Sequence, residues 1–115
     1  MKKFLLSFKY AIQGIITTVI EERNIKIHLL AVVVTIIMGI KYQISTIEWI
    51  VCILLFGLVI SSELINTGIE NTVDLITNQK NNLAKKAKDA AAGAVFVNAI
   101  IAVIIAGFIW IPKIF

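Results

Sequence analysis

The sequence holds one cysteine, one proline and one histidine, with only six glycines, in 115 residues. The lone Cys52 lies in an apolar run, which excludes a disulfide framework or a cysteine zinc site within one chain. One thiol and one imidazole leave no conventional transition-metal site, but a carboxylate site for a hard cation such as Mg²⁺ stays open. So little glycine and proline excludes a collagen-like or disordered chain. Charge is also scarce, at 16% of residues, where soluble domains carry ~25%. What fills the space is apolar: 59% hydrophobic residues and a mean hydropathy of +0.94. A domain this small buries a modest share of its surface, so the composition argues against a soluble monomer. The net charge of +4 then marks cytoplasmic membrane flanks, not a nucleic-acid surface.

The pattern along the chain predicts an all-α membrane protein formed as a single domain over 1–115. Over about 4–24, Leu5, Phe8, Ile12, Ile15, Ile16 and Val19 recur every three or four residues, with Lys9, Gln13 and Thr17 opposite. That is an amphipathic helix suited to a membrane interface. These polar residues, and the lack of a small-residue cleavage site, set it apart from a signal peptide despite Lys2 and Lys3. Three transmembrane helices are expected at about 28–47, 49–70 and 90–111, with Tyr42 and Trp49 near the outer interface and Glu48 solvated between spans. Residues 77–83 read as a polar loop, and Pro112 as the end of the last span. With the amino terminus inside, nine of the eleven basic residues are cytoplasmic and only Lys41 and Lys113 face out.

Candidate chemistry collects at the inner end of the second span. Glu70 and Asp74 fall within about 20° of Glu63 around a helix, in a stripe roughly 16 Å long flanked by Asn66 and Thr67. Carboxylates entering an apolar span face a protein interior or a water-filled cavity. A solvated helix extension is the plainer account, and it suits Asp74 better than Glu63. Such carboxylates can serve as a general base, hold Mg²⁺, or line a proton path. A second cluster runs from Leu83 to Ala94, where Lys88 can bind phosphate and Asp89 can hydrogen-bond a ligand; a stop-transfer charge cluster is the bland alternative. The third sets Glu22 before Lys26 and Asn24 before His28 at helical spacing. A surface salt bridge explains the first pair, and His28 reads as a packing or hydrogen-bonding residue, not a metal ligand.

Taken together, Glu22-x-Asn24-x-Lys26-x-His28, Glu63-Leu64-Ile65-Asn66-Thr67-x-Ile69-Glu70-x-x-Val73-Asp74 and Ala84-Lys85-x-Ala87-Lys88-Asp89-x-Ala91-Ala92-Gly93-Ala94 resemble the small bacterial integral-membrane lipid kinases. This is the diacylglycerol kinase and undecaprenol kinase family, and the Asn24/His28 and Ala-Ala-Gly-Ala features are closer to the undecaprenol branch. The resemblance spans about Phe8 to Pro112. It implies a homotrimer in the bacterial cytoplasmic membrane, with composite active sites at the cytoplasmic face. It implies ATP- and Mg²⁺-dependent phosphorylation of a membrane lipid alcohol. By that resemblance Glu63 is the general base meeting the lipid substrate, and Glu22 and Glu70 hold the metal bound to ATP. Tyr10, Lys88 and Asp89 contact the nucleotide, and Asn66 and Asp74 support the site. Asn81 departs from the pattern, standing where many members carry His.

Phosphoryl transfer rests on positioning and charge neutralisation, and a tail left in the bilayer needs no enclosed pocket, so a short chain suffices. Undecaprenol is the expected substrate and diacylglycerol the alternative. A small proton-coupled transporter using Glu63 and Glu70, or a non-catalytic membrane subunit, are readings of other classes. The transporter leaves the Glu22 and Lys88–Asp89 motifs unexplained, and the non-catalytic subunit predicts that Glu63→Gln is harmless in cells.

Overall fold

The computed structural model describes residues 1–115 as four helices, α1 (Lys2–Glu21), α2 (Arg23–Lys41), α3 (Thr46–Ile76) and α4 (Asn82–Ile114). All four are long and apolar enough to cross a membrane, α1 included, so length and composition alone do not set α1 apart from the others. The architecture is an all-α membrane-type helical bundle. α2 and α4 both pack on α3, and α1 touches α2 and α3.

Local chemistry sets the corners. Glu22 is the one residue between α1 and α2, with extended backbone (φ −100°, ψ 127°), so the chain turns there without a loop. α2 stops at Lys41, short of the expected span end at 47. Gln43 takes a left-handed φ of 50°. The Ile44 N–H donates to the Gly39 carbonyl and the Gln43 N–H to that of Ile40, which is the Schellman arrangement that satisfies final-turn carbonyls. Ser45 then starts α3 through a capping box with Glu48. The Asn81 side chain accepts from the N–H groups of Leu83 and Ala84, so the residue that departs from the family pattern is the N-cap of α4. α4 therefore begins well before residue 90 and carries the Lys85–Asp89 stretch as helix. Pro112 does not end it: a proline in the last turn forfeits one hydrogen bond, and the helix runs on to Ile114.

The end of the bundle where α2 turns into α3 has the one apolar core, built on Ile44, Cys52, Ile109 and Trp110, with Tyr42 and Trp49 packed against it. Glu48 is not simply solvated. It accepts a hydrogen bond from Lys113 at 2.8 Å, tying the start of α3 to the end of α4. The Lys113 hydrogen bond, then that from the Ser45 backbone, hold the Glu48 carboxyl below its usual range. Asn98, the strongly polar residue of the last apolar run, donates to the Leu58 carbonyl at 3.2 Å. Gly39 leaves no room for a side chain, because a Cβ there would lie 2.6 Å from the Trp49 ring. Gly39→Ala is expected to destabilise the chain by ~1–3 kcal/mol through overpacking, read as a lower thermal midpoint in detergent. An unchanged midpoint would mean that the ring has free space to move into.

Elsewhere the apolar surface is uncovered. Only 12 of 115 residues are buried, and the radius of gyration is 17.1 Å, where a compact chain of ~100 residues has ~13 Å. Faces such as Leu30, Ile37, Ile53, Leu54, Phe96 and Val103 stand more than half exposed and fit lipid or further protein.

Candidate active site

The buried polar side chains of the chain, Ser62, Glu63, Asn66 and Thr67, all lie on one stretch of α3. Two of them face carbonyls or acids of their own helix. Ser62 donates to the Val59 carbonyl at 2.8 Å, which uses its one hydrogen and leaves the oxygen only as an acceptor. Asn66 donates through Nδ2 to Glu70 Oε1 at 3.0 Å. A carboxylate can only accept, so this bond fixes which end of the amide faces Glu70. The other end, Asn66 Oδ1, is buried with no partner in the chain. Such an orphan acceptor is costly unless a ligand or another subunit supplies a donor.

Glu63 is the most deeply placed acid. Its side chain is 4% exposed, and Oε1 lies 3.1 Å from Nε2 of His28 on α2. The expectation that Glu63 faces the interior holds, as does the hydrogen-bonding reading of His28. The partner of His28 is thus Glu63 on α3, not Asn24, which lies four residues away on its own helix. His28 also opens onto an apolar groove of about 250 Å³ between α2 and α4, floored by Cys52, Phe56 and Val59 of α3.

A second, polar recess of about 470 Å³ lies where α3 ends and α4 begins, lined by Asp74, Lys80, Asn81, Lys85, Lys88 and Asp89 among others. Lys88 forms an ion pair with Asp74, so Asp74 is exposed yet not idle. Lys85 donates to Asp89 at 2.6 Å; that hydrogen bond, and then the Asp89 charge, raise the Lys85 ammonium above the usual lysine range. The Asp89 pairing is one turn of helix and needs no tertiary explanation.

The remaining site residues stay apart within one chain. Tyr10 is 61% exposed on α1. Glu22 is half-buried at the α1–α2 corner and forms no salt bridge with Lys26, which corrects the helical-pair reading. The reason is local: Glu22 lies outside both helices, so helical spacing does not apply to it. No group of three or more His, Cys, Asp or Glu side chains converges on one point. Of the seven acidic residues, Glu48, Glu63, Asp74 and Asp89 have cationic or histidine partners, while Glu21, Glu22 and Glu70 have none. Half-buried Glu22 and Glu70 are thus carboxylates without a cationic partner, each of the oxygen-ligand type that Mg²⁺ takes.

Comparison with known proteins agrees with the motifs. The family model for prokaryotic diacylglycerol kinase matches residues 9–110. Undecaprenol kinase of Bacillus subtilis is 48% identical over 113 residues, covering 98% of this chain and 92% of that protein. Diacylglycerol kinase of Synechocystis is 40% identical over 109 residues, covering 94% of this chain and 62% of that protein.

Proposed function

This chain belongs to the prokaryotic diacylglycerol kinase family, and from that premise we propose that it transfers the γ-phosphate of ATP to a membrane lipid alcohol, undecaprenol in preference to diacylglycerol. The observation that carries the reading is Glu63, a buried carboxylate with a single polar partner, placed beside an apolar groove. Undecaprenol is preferred because the similarity to the undecaprenol kinase is higher and covers nearly all of that protein.

In this reading Glu63 takes the proton of the lipid hydroxyl as that oxygen bonds to the γ-phosphorus. The bond from the γ-phosphorus to the β-phosphate oxygen breaks, and ADP leaves. A buried carboxylate suits this role, because it meets the hydroxyl out of reach of bulk water. Glu22 and Glu70 would hold the Mg²⁺, which would supply neutralisation of the phosphate charge. Lys88 exchanges Asp74 for phosphate, so nucleotide binding breaks an ion pair, and Asp89 and Tyr10 contact the nucleotide. Asn66 holds Glu70 by its amide nitrogen and offers Oδ1 to the ligand.

The same reading sets the assembly. The single domain over 1–115 crosses the cytoplasmic membrane three times, through α2, α3 and α4. α1 lies on the inner surface with its Lys9, Gln13 and Thr17 face towards water, and the amino terminus is cytoplasmic. Three copies form a homotrimer that covers the exposed apolar faces and brings Tyr10, Glu22 and Lys88 to composite sites.

The test is transfer from labelled ATP by the purified protein in detergent micelles, with undecaprenol and diacylglycerol side by side. Strong transfer to undecaprenol is expected. A preference for diacylglycerol keeps the mechanism and changes the substrate. No transfer to either lipid from folded, trimeric protein overturns the kinase reading.

A further inference from the structure

We infer that His28 is the positioning residue of the phosphoryl-transfer site: it donates from Nε2 to Oε1 of Glu63 and holds that carboxylate in the orientation that accepts the lipid hydroxyl's proton. This rests on Glu63 being the general base. The contact is 3.1 Å, between residues 35 apart in sequence on different helices. No other hydrogen bond and no lysine or arginine reaches Glu63, whose side chain is 4% exposed. An ionised carboxylate only accepts hydrogen bonds, so the contact makes Nε2 the protonated ring nitrogen. Hydrogen bonds to a charged acceptor are among the stronger ones, and a buried charge without one is strongly disfavoured. With one partner, the carboxylate's rotation rests on that partner. The base therefore depends on α2 for its aim, although it stands on α3.

A packing role is the competing explanation, because His28 also lines the apolar groove beside Ala31, Val32 and Val59. The two roles predict opposite rankings for two variants. His28→Leu fills apolar space and has no donor. His28→Gln is polar and places an amide N–H near the position of Nε2. Positioning predicts that His28→Leu lowers kcat by about 10- to 100-fold, the value of a hydrogen bond to a charged group, while the KM for ATP is unchanged. His28→Gln retains most of the wild-type kcat. Packing predicts the reverse order, with the better thermal midpoint also in His28→Leu.

The experiment measures kcat, KM for ATP and thermal midpoint of both variants in micelles, each alone and combined with Glu63→Gln. His28→Gln exceeding His28→Leu in kcat, with no further loss from His28→Leu in the Glu63→Gln background, is the expected result. Equal kcat for the two variants, high or low, overturns the inference, as does a higher kcat in His28→Leu. If His28→Leu does not fold, His28→Met replaces it, being flexible and equally without a donor. Near-normal turnover by Glu63→Gln alone removes the general-base reading itself. An inactive Glu63→Gln with indistinguishable His28 variants removes only the role given to His28.

Discussion

Glu63→Gln is expected to lower phosphoryl transfer by about 100- to 10,000-fold, the range supplied by a positioned general base. Glutamine has nearly the same shape and can still accept the His28 N–H through its amide oxygen, so the α2–α3 contact persists. The side chain is buried, and replacing its charge with a neutral amide removes a desolvation cost instead of adding one. The fold should therefore survive, with a thermal midpoint no lower than that of the native chain. Turnover with labelled ATP and the midpoint are measured on the same preparation. Near-normal ATP-dependent turnover would sink the general-base assignment. Lost turnover together with a collapsed midpoint would place Glu63 among the residues that hold the helices together.

Glu70→Gln carries the second large effect. Its charge has no cationic partner in the chain, and Asn66 already occupies one oxygen. A glutamine keeps the Asn66 contact through its own carbonyl oxygen but is a far weaker ligand for a hard cation. Activity at ordinary Mg²⁺ should fall strongly and recover in part when Mg²⁺ is raised. The half-saturating concentration should rise by at least about tenfold, since even outer-shell changes at metal sites cost that much. Glu22→Gln should behave alike. Equal Mg²⁺ dependence of variant and native enzyme would contradict the metal role of both.

Much of this was legible in one dimension because it is a property of single helices. Glu63, Glu70 and Asp74 share a face by spacing alone, and the depth of the apolar run made Glu63 the buried one. The limits of the pattern were also local. Glu22 and Lys26 have helical spacing on paper, but one extended residue at the corner takes Glu22 out of the helix. The span expected to reach 47 stops at Lys41, where a left-handed Gln43 turns the chain, and glutamine is not a residue that announces such a turn. The polar loop expected over 77–83 ends earlier, because the Asn81 cap starts a 33-residue helix at Asn82.

By itself, then, the sequence determined the all-α membrane class and the acids on one face of α3. These follow from composition and from a periodicity that neighbouring residues set among themselves. Only the tertiary structure decided which neighbour each acid has: His28 for Glu63 across α2 and α3, Lys88 for Asp74 across α3 and α4, and none for Glu70 beyond Asn66 on its own helix. Those pairings depend on how far one helix slides and turns against the next. That register is set by side-chain packing between helices distant in sequence, and no spacing within a single helix encodes it.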